Sequence, residues 1–247
     1  MKISVVIITH NEEINIRRCL ESVSFSDEII LIDSFSRDDT CKIASSYTSN
    51  IIKRKWEGFS KQKNYGIARA RNEWILSVDA DEVLSEELKQ EIMGLEKTKY
   101  EGFYLKRKPY FMGKFIKHCG WYPDKQLRLF KKSSGKFDEN KLVHEGVLLK
   151  GAKGNLKNVL LHFPYKNISG YFEQFNKYTS LAAQQYMRDD RKFSKSKFLL
   201  NPFLTFFKMY ILRLGFLDGF AGFCICSLSS FYNFVKYAKL WELTGRK

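Results

Sequence analysis

The chain has 247 residues, 44% hydrophobic and 28% charged, with a formal net charge of +15. That composition excludes a disordered chain, and the length suffices for one large domain with a sizeable core, or a domain plus an appendage. The basic excess calls for anionic partners (nucleic acid, phosphorylated substrates or an anionic membrane surface), while five cysteines with neither metal spacing nor a disulfide framework point to a reducing compartment.

The first strand, Ile3 to Ile8, is a β-branched apolar run of the kind buried on both faces. The chain enters it directly, without a basic segment, apolar stretch and cleavage site, so no signal peptide is expected. Thr9 and Glu12 have capping-box spacing, and Ile16, Cys19, Leu20 and Val23 lie on one helical face. Glu28 to Ile32 is a second buried strand ending in Asp33. A polar turn follows, in which Ser36 with Asp39 can cap a helix through Ile43, Ala44 and Tyr47. Ile51 and Ile52 form a short third strand, Phe59 to Arg71 a helix, and Trp74 to Val78 a fourth strand. Strands alternating with short helices predict a parallel, right-handed α/β sheet that binds ligands beyond its strand carboxyl ends.

The fourth strand runs into Asp79, Asp81 and Glu82. Alternation along an extended chain places Asp79 and Asp81 on one side with Ala80 turned away. Two converging carboxylates repel unless a hard divalent cation lies between them; by itself the motif is also compatible with a solvated acidic turn. Polar clusters after strand one (Thr9, Asn11, Glu12), strand two (Asp33) and strand four (Asp79, Asp81) turn the balance towards a ligand site. Neither G-x-G-x-x-G after strand one nor a P-loop is present, which excludes both phosphate-binding glycine loops.

Ser85 heads a helix with Glu86 and Glu87 in its first turn and Leu88, Ile92 and Leu95 on its inner stripe. Gly102 to Lys106, Gln126 to Phe130, Val143 to Leu149 and Val159 to Phe163 read as shorter strands, making the second half of the sheet mixed. The aromatic and lysine-rich stretch Lys106 to Asp124 reads as a substrate-shaping loop. Ile168 to Arg188 is a helix with Tyr171, Phe175, Tyr178 and Ala182 facing the core. From Asn201 to Leu243 the chain is strongly aromatic and apolar, and Leu214 to Val235, with Asp218 its one charge, is about long enough to cross a bilayer. Glycines, serines and Asp218 inside it favour interfacial or monotopic helices flanked by basic residues; a helical homodimer interface is the alternative.

The blocks Val5 to Glu13, Glu28 to Ser34 with Asp38 and Thr40, and Val78 to Glu82 resemble the inverting family 2 glycosyltransferases. Further on, Gly120 to Phe130, Val143-His144-Glu145, Gly215 to Gly219 and Lys236 to Trp241 look like the subgroup containing lipopolysaccharide core β-1,4-glucosyltransferases, so the resemblance spans nearly the whole chain. It implies an α/β fold of the GT-A type. With the mixed central sheet and the apolar C-terminal stretch read above, the chain divides into a catalytic domain over 1–165 (nucleotide-binding half 1–99, acceptor-binding half 100–165) and a helical, membrane-associating region over 166–247. The resemblance also implies a UDP-sugar donor, a divalent cation (Mg2+ or Mn2+), a saccharide or glycolipid acceptor, no nucleic acid, and a location on the cytoplasmic face of the inner membrane.

By the same resemblance Thr9, Asn11 and Glu12 line the nucleotide pocket, Asp33 accepts a hydrogen bond from the base, and Asp79 and Asp81 touch the ribose and the metal. Lys63, Arg71 and Arg128 are candidates for the diphosphate, and His162 for a third metal ligand. The family's base lies after a Gly-Gly-Phe-Asp-Glu-like segment. Here Lys136 replaces the second glycine of Gly135-Lys136-Phe137-Asp138-Glu139, and His144-Glu145 stands where a Glu-Asp pair is usual. Glu145 is the first candidate base and Asp124 its rival. A sugar nucleotidyltransferase and a non-enzymatic basic protein are the alternative readings; the former lacks its glycine-rich, arginine-containing loop after strand one, the latter any RNA-binding signature.

Overall fold

The computed structural model describes residues 1–96, 98–140 and 146–245. In chain order the first elements are β1 (Ile3–Thr9), α1 (Ile16–Ser22), β2 (Glu28–Asp33), α2 (Thr40–Ala44), β3 (Ile51–Lys53), α3 (Phe59–Arg69) and β4 (Trp74–Asp79). There follow β5 (Glu82–Leu84), α4 (Glu86–Met93), β6 (Gly102–Phe111), β7 (Lys114–Phe115), β8 (Asp124–Lys131), β9 (Gly135–Phe137), β10 (Val147–Leu149) and β11 (Lys153–His162). The chain closes with α5 (Ile168–Arg188), α6 (Lys195–Phe207) and α7 (Gly219–Gly245); a π turn, Lys208–Leu212, and a 3-10 turn, Gly215–Asp218, lie between the last two. Two compact units result: Met1–Arg107 with Lys125–Phe163, and Lys108–Asp124 with Pro164–Lys247. Segment 108–124, placed in the catalytic domain by the sequence reading, thus groups with the C-terminal helices.

In the first unit the sheet order is β3-β2-β1-β4-β8-β6-β11-β5. β1 pairs in parallel with β2 and β4, β2 in parallel with β3, and β4 antiparallel with β8, so the sheet is mixed. The continuous apolar runs follow from burial on two faces. Val5, Ile7, Leu76 and Val78 join one core with Leu20 of α1 and Leu88 and Ile92 of α4. Val6, Ile8, Ile30, Ile32 and Ile75 join the other with Ile67 of α3. Each such side chain contributes about 1.5–3 kcal/mol of burial free energy. α3 lies close against the sheet because Gly66 has no side chain: a Cβ there would stand 2.5 Å from Val6 Cγ1.

Two caps differ from expectation. α1 starts at Ile16, not after Thr9; Asn11 has φ 56°, outside the helical region, and the Glu12 carboxylate accepts from Asn15 Nδ2 at 2.6 Å. The polar residues there serve a junction between loops instead: Asn11 N donates to Ser36 Oγ (2.9 Å), Glu12 N to Thr40 Oγ1 (2.8 Å) and Glu13 N to Asp38 Oδ2 (3.1 Å). Likewise neither Ser36 nor Asp39 caps α2; the Ser36 hydroxyl donates to Asp33. Ser85 does cap α4, accepting from Leu88 N at 3.2 Å.

In the second unit β7 pairs antiparallel with the end of β6, Tyr110 opposite Phe115. α5 packs its Tyr171, Phe175 and Thr179 inward. Its core joins Phe111, Ile116, Cys119, Tyr171, Phe175, Met209, Ile225 and Cys226.

Candidate active site at the carboxyl edge of the sheet

The parallel strands place the polar clusters together. From β1 the chain builds outward through β2 and β3, then returns to the other side of β1 with β4, so the strand order reverses beside β1. A crevice beyond the strand carboxyl ends opens at such a reversal. The register sets Thr9 opposite Asp33 and Ile8 opposite Asp79, so three strands end side by side in polar residues.

At the β1–β2 end Asp33 is fully buried and accepts from Ser36 Oγ (2.5 Å) and Ser36 N (3.1 Å). Burial, and then the Asp33 carboxylate, push the neighbouring Cys41 thiol up to about 11. Gln62 of α3 is also fully buried, its Nε2 donating to Ser34 Oγ at 2.9 Å. Two polar atoms here are buried with no hydrogen-bond partner among the described residues, Thr9 Oγ1 and Gln62 Oε1. Buried polar atoms are rarely left so, and such orphans are natural contacts for a ligand. Asn11 has both side-chain atoms engaged: its Oδ1 accepts from Arg37 N at 2.9 Å and its Nδ2 lies 3.3 Å from His10 Nε2.

The β4 end is an ion network. Lys63, 1% exposed, reaches Asp79 Oδ1 at 2.8 Å, and Arg128 Nη2 reaches Asp79 Oδ2 at 2.6 Å. Burial alone would raise the Asp79 pKa, but Arg128 and Lys63 hold it far below the usual carboxylate range. Glu82, fully buried, accepts from Asp79 N (2.9 Å) through one oxygen and holds Arg128 (2.8 Å) and Arg107 (3.3 Å) through the other. Glu82 is more than the turn-capping residue that its sequence position implies: it ties back to Asp79 N at the start of the turn and holds two arginines.

Strand alternation does not carry through to Asp81, although its carboxylate still feels the charge of Asp79. The chain turns at Ala80 and Asp81, so strand alternation stops at Asp79. Asp81 Oδ2 lies 3.3 Å from His162 Nε2, both side chains mostly buried, and Asp81 O accepts from Phe163 N at 2.9 Å. Burial raises the Asp81 pKa, and the His162 charge and hydrogen bond more than offset it, leaving it below its ordinary value. Arg18 stacks over the Phe163 ring at 3.7 Å and faces the charges of Asp81 and Glu12; burial lowers its pKa. Among the described residues no three metal-ligating side chains form a group. Asp81 and His162 therefore offer two donors, a set that fits a cation whose remaining positions are filled by phosphate oxygens and water, as Mg2+ and Mn2+ commonly bind.

Arg71 is not brought to this cluster. Arg71 donates through Nε to Glu28 Oε1 at 2.9 Å, at the amino ends of β2 and β4, because α3 ends at Arg69 and the chain then turns into the start of β4. Asp124 opens β8 and groups with the second unit. Glu145 lies outside the described residues. Sequence reasoning missed Gln62, Arg18 and Arg107. The signal for Gln62 was its place beside Lys63 on the buried helical stripe that continues through Gly66 and Ile67; Arg18 and Arg107 carried none.

Residues 4–150 match the family model for glycosyl transferase family 2. Over 256 residues the chain is 30% identical to an uncharacterized glycosyltransferase of Rickettsia typhi, covering 98% of this chain and 88% of the relative. It is 28% identical to the lipopolysaccharide core biosynthesis glycosyltransferase LpsC of Rhizobium meliloti, covering 98% and 93%. A solved mannosyltransferase from Pyrobaculum calidifontis, in complex with GDP-Man and Mn2+, covers 100% of this chain and 88% of its own at 14% identity and a TM-score of 0.58. At that identity the likeness shows the fold, the mixed α/β arrangement of GT-A glycosyltransferases.

Proposed function

We propose that this chain, which belongs to glycosyl transferase family 2, moves a hexose, glucose foremost, from a UDP-sugar to a saccharide or glycolipid acceptor with inversion at the anomeric carbon. The observation that carries the reading is the convergence of Thr9, Asp33 and Asp79 at one sheet edge, with Asp81 and His162 paired beyond it. The relative named for lipopolysaccharide core biosynthesis supports a core saccharide as acceptor, and in this reading the reaction takes place at the cytoplasmic face of the inner membrane.

In this reading the nucleoside lies over β1 and β2. Asp33 accepts from the base, and the free Thr9 hydroxyl and Gln62 carbonyl find partners in the nucleotide. Asn11 and Glu12 border the pocket. Asp79, fixed by Lys63 and Arg128, faces the ribose, and the two cations keep its charge from repelling the diphosphate. Asp81 and His162 hold the divalent cation, which when bound neutralises charge developing on the leaving diphosphate. Lys63 and Arg128 add positive potential beneath the same edge. A carboxylate, Glu145 or Asp124, accepts the acceptor hydroxyl proton as the oxygen bonds to the anomeric carbon and the bond from that carbon to the diphosphate oxygen breaks.

The test is donor turnover by the full chain with UDP-glucose, UDP-galactose, UDP-N-acetylglucosamine and GDP-mannose, each with Mn2+ or with EDTA. UDP release from UDP-glucose that EDTA abolishes is the expected result. Turnover of none of these donors, or pyrophosphate release from a nucleoside triphosphate and a sugar phosphate, would overturn the reading.

A further inference from the structure

The second unit exposes apolar surface in an ordered pattern. On α6, Leu199, Leu200, Phe203, Leu204 and Phe207 recur at i, i+1, i+4, i+5 and i+8, one helical stripe, and all are exposed. On α7, Phe220, Phe223, Phe231 and Phe234 follow one face in the same way. Phe203 is 76% and Phe220 72% exposed, values that core-forming aromatics do not reach. The rings of Phe206 and Phe223 are 6.0 Å apart and those of Tyr210 and Phe223 5.9 Å, which joins the two stripes. The opposite face of α7 is the packed one, with Ile225, Cys226, Tyr237 and Leu240 buried.

The charge carried by this stretch is mostly basic. From residue 191 to 241 there are eight lysines and arginines and one acidic residue, Asp218. Asp218 is 2% exposed and spent internally, accepting from the backbone of Lys117 (3.2 Å) and His118 (2.7 Å). Lys195, Lys197, Lys208 and Arg213 are exposed.

We propose that this face seats itself in the headgroup region of an anionic phospholipid bilayer, with α6 and α7 lying in the membrane plane. Apolar area enters the acyl boundary while the lysines and arginines meet lipid phosphates. The inference rests on the second unit alone and does not need the reading of the sheet edge. A second copy is a poorer occupant, because a two-fold contact sets the same patch against itself and would oppose like charges. Gly215–Gly245 is long and apolar enough to cross a membrane, yet polar contacts bind its inner face to the helices of the unit. Ser230 Oγ donates to Pro202 O (2.8 Å), Asn233 Nδ2 to Thr205 Oγ1 (2.9 Å), and Lys239 Nζ to Asn176 Oδ1 (2.7 Å). Crossing would break these and carry Lys236 into hydrocarbon.

The test is flotation of the full chain with vesicles of pure phosphatidylcholine and of equimolar phosphatidylcholine and phosphatidylglycerol. Flotation with the anionic vesicles, weakened by salt and reversed by alkaline carbonate, is expected. F203E/F220E should partition about tenfold or more weakly while keeping wild-type Mn2+-dependent UDP binding, which separates this result from any failure at the sheet edge. K195E/K197E, at exposed positions, should lose flotation at low salt and guards against misfolding of the first variant. Wild-type flotation by both variants, resistance to carbonate with protease protection of α7, or a dimer dissolved by F203E/F220E without vesicle binding would each overturn the proposal.

Discussion

At the carboxyl edge of the sheet Lys63 is 1% exposed and Glu82 fully buried, whereas on the C-terminal helices Phe203 is 76% and Phe220 72% exposed. One region places charges where apolar side chains usually go; the other places aromatics in water. Neither arrangement is what folding alone would select. Buried ion pairs seldom repay their desolvation, and solvated aromatics forgo burial. Each departure makes sense only with something outside the chain: a charged ligand over the first, a lipid surface against the second. The contrast teaches that the residues to question are those whose environment contradicts their chemistry.

The contrast can be broken on the sheet side in order of expected size. Lys63→Ala leaves the Asp79 carboxylate short of a buried partner and should cost about 3–5 kcal/mol in denaturant unfolding; a loss below about 1 kcal/mol would show that Arg128 alone suffices. Asp81→Ala should lower donor turnover about 100- to 1000-fold with the melting temperature nearly unchanged. Glu82→Gln weakens the brace on Arg128 and Arg107 and should cost about 1–3 kcal/mol, lowering turnover more than UDP affinity. Gly66→Ala presses a methyl against Val6 and should cost about 1–3 kcal/mol without altering UDP affinity per folded molecule.

Acid offers a finer probe. The folded-state pKa of Asp79 lies below its unfolded value. Its stabilisation is therefore fully present above the unfolded pKa, about 4, and is lost as pH falls from there towards the folded value. Wild-type stability should decline over that range more steeply than that of Asp79→Asn, as followed by urea unfolding at successive pH values; parallel profiles would mean that the ion network is not linked to folding.

Much of the sheet was legible because its strands are buried on both faces, which writes Ile3 to Ile8 and Trp74 to Val78 as unbroken apolar runs. The span of α5 was legible for a similar reason, a long aromatic stripe with one period. The caps of α1 and α2 were not, since Thr9, Ser36 and Asp39 look like helix starters when each loop is read alone, whereas Ser36 and Asp38 accept from Asn11 and Glu13, 25 residues away. The direction of Asp81 was not legible because alternation holds only while the chain stays extended, and it turns at Ala80. Glu82 was underestimated because its partners, Arg107 and Arg128, come from strands whose pairing no local pattern reveals.

The most direct test of the central claim is calorimetric titration of UDP into the wild-type chain and Asp81→Ala, each with Mn2+ and with EDTA. The sheet-edge account predicts that Mn2+ strengthens UDP binding about tenfold or more in the wild type and leaves Asp81→Ala at its metal-free affinity. Equal Mn2+ enhancement in both proteins would contradict it.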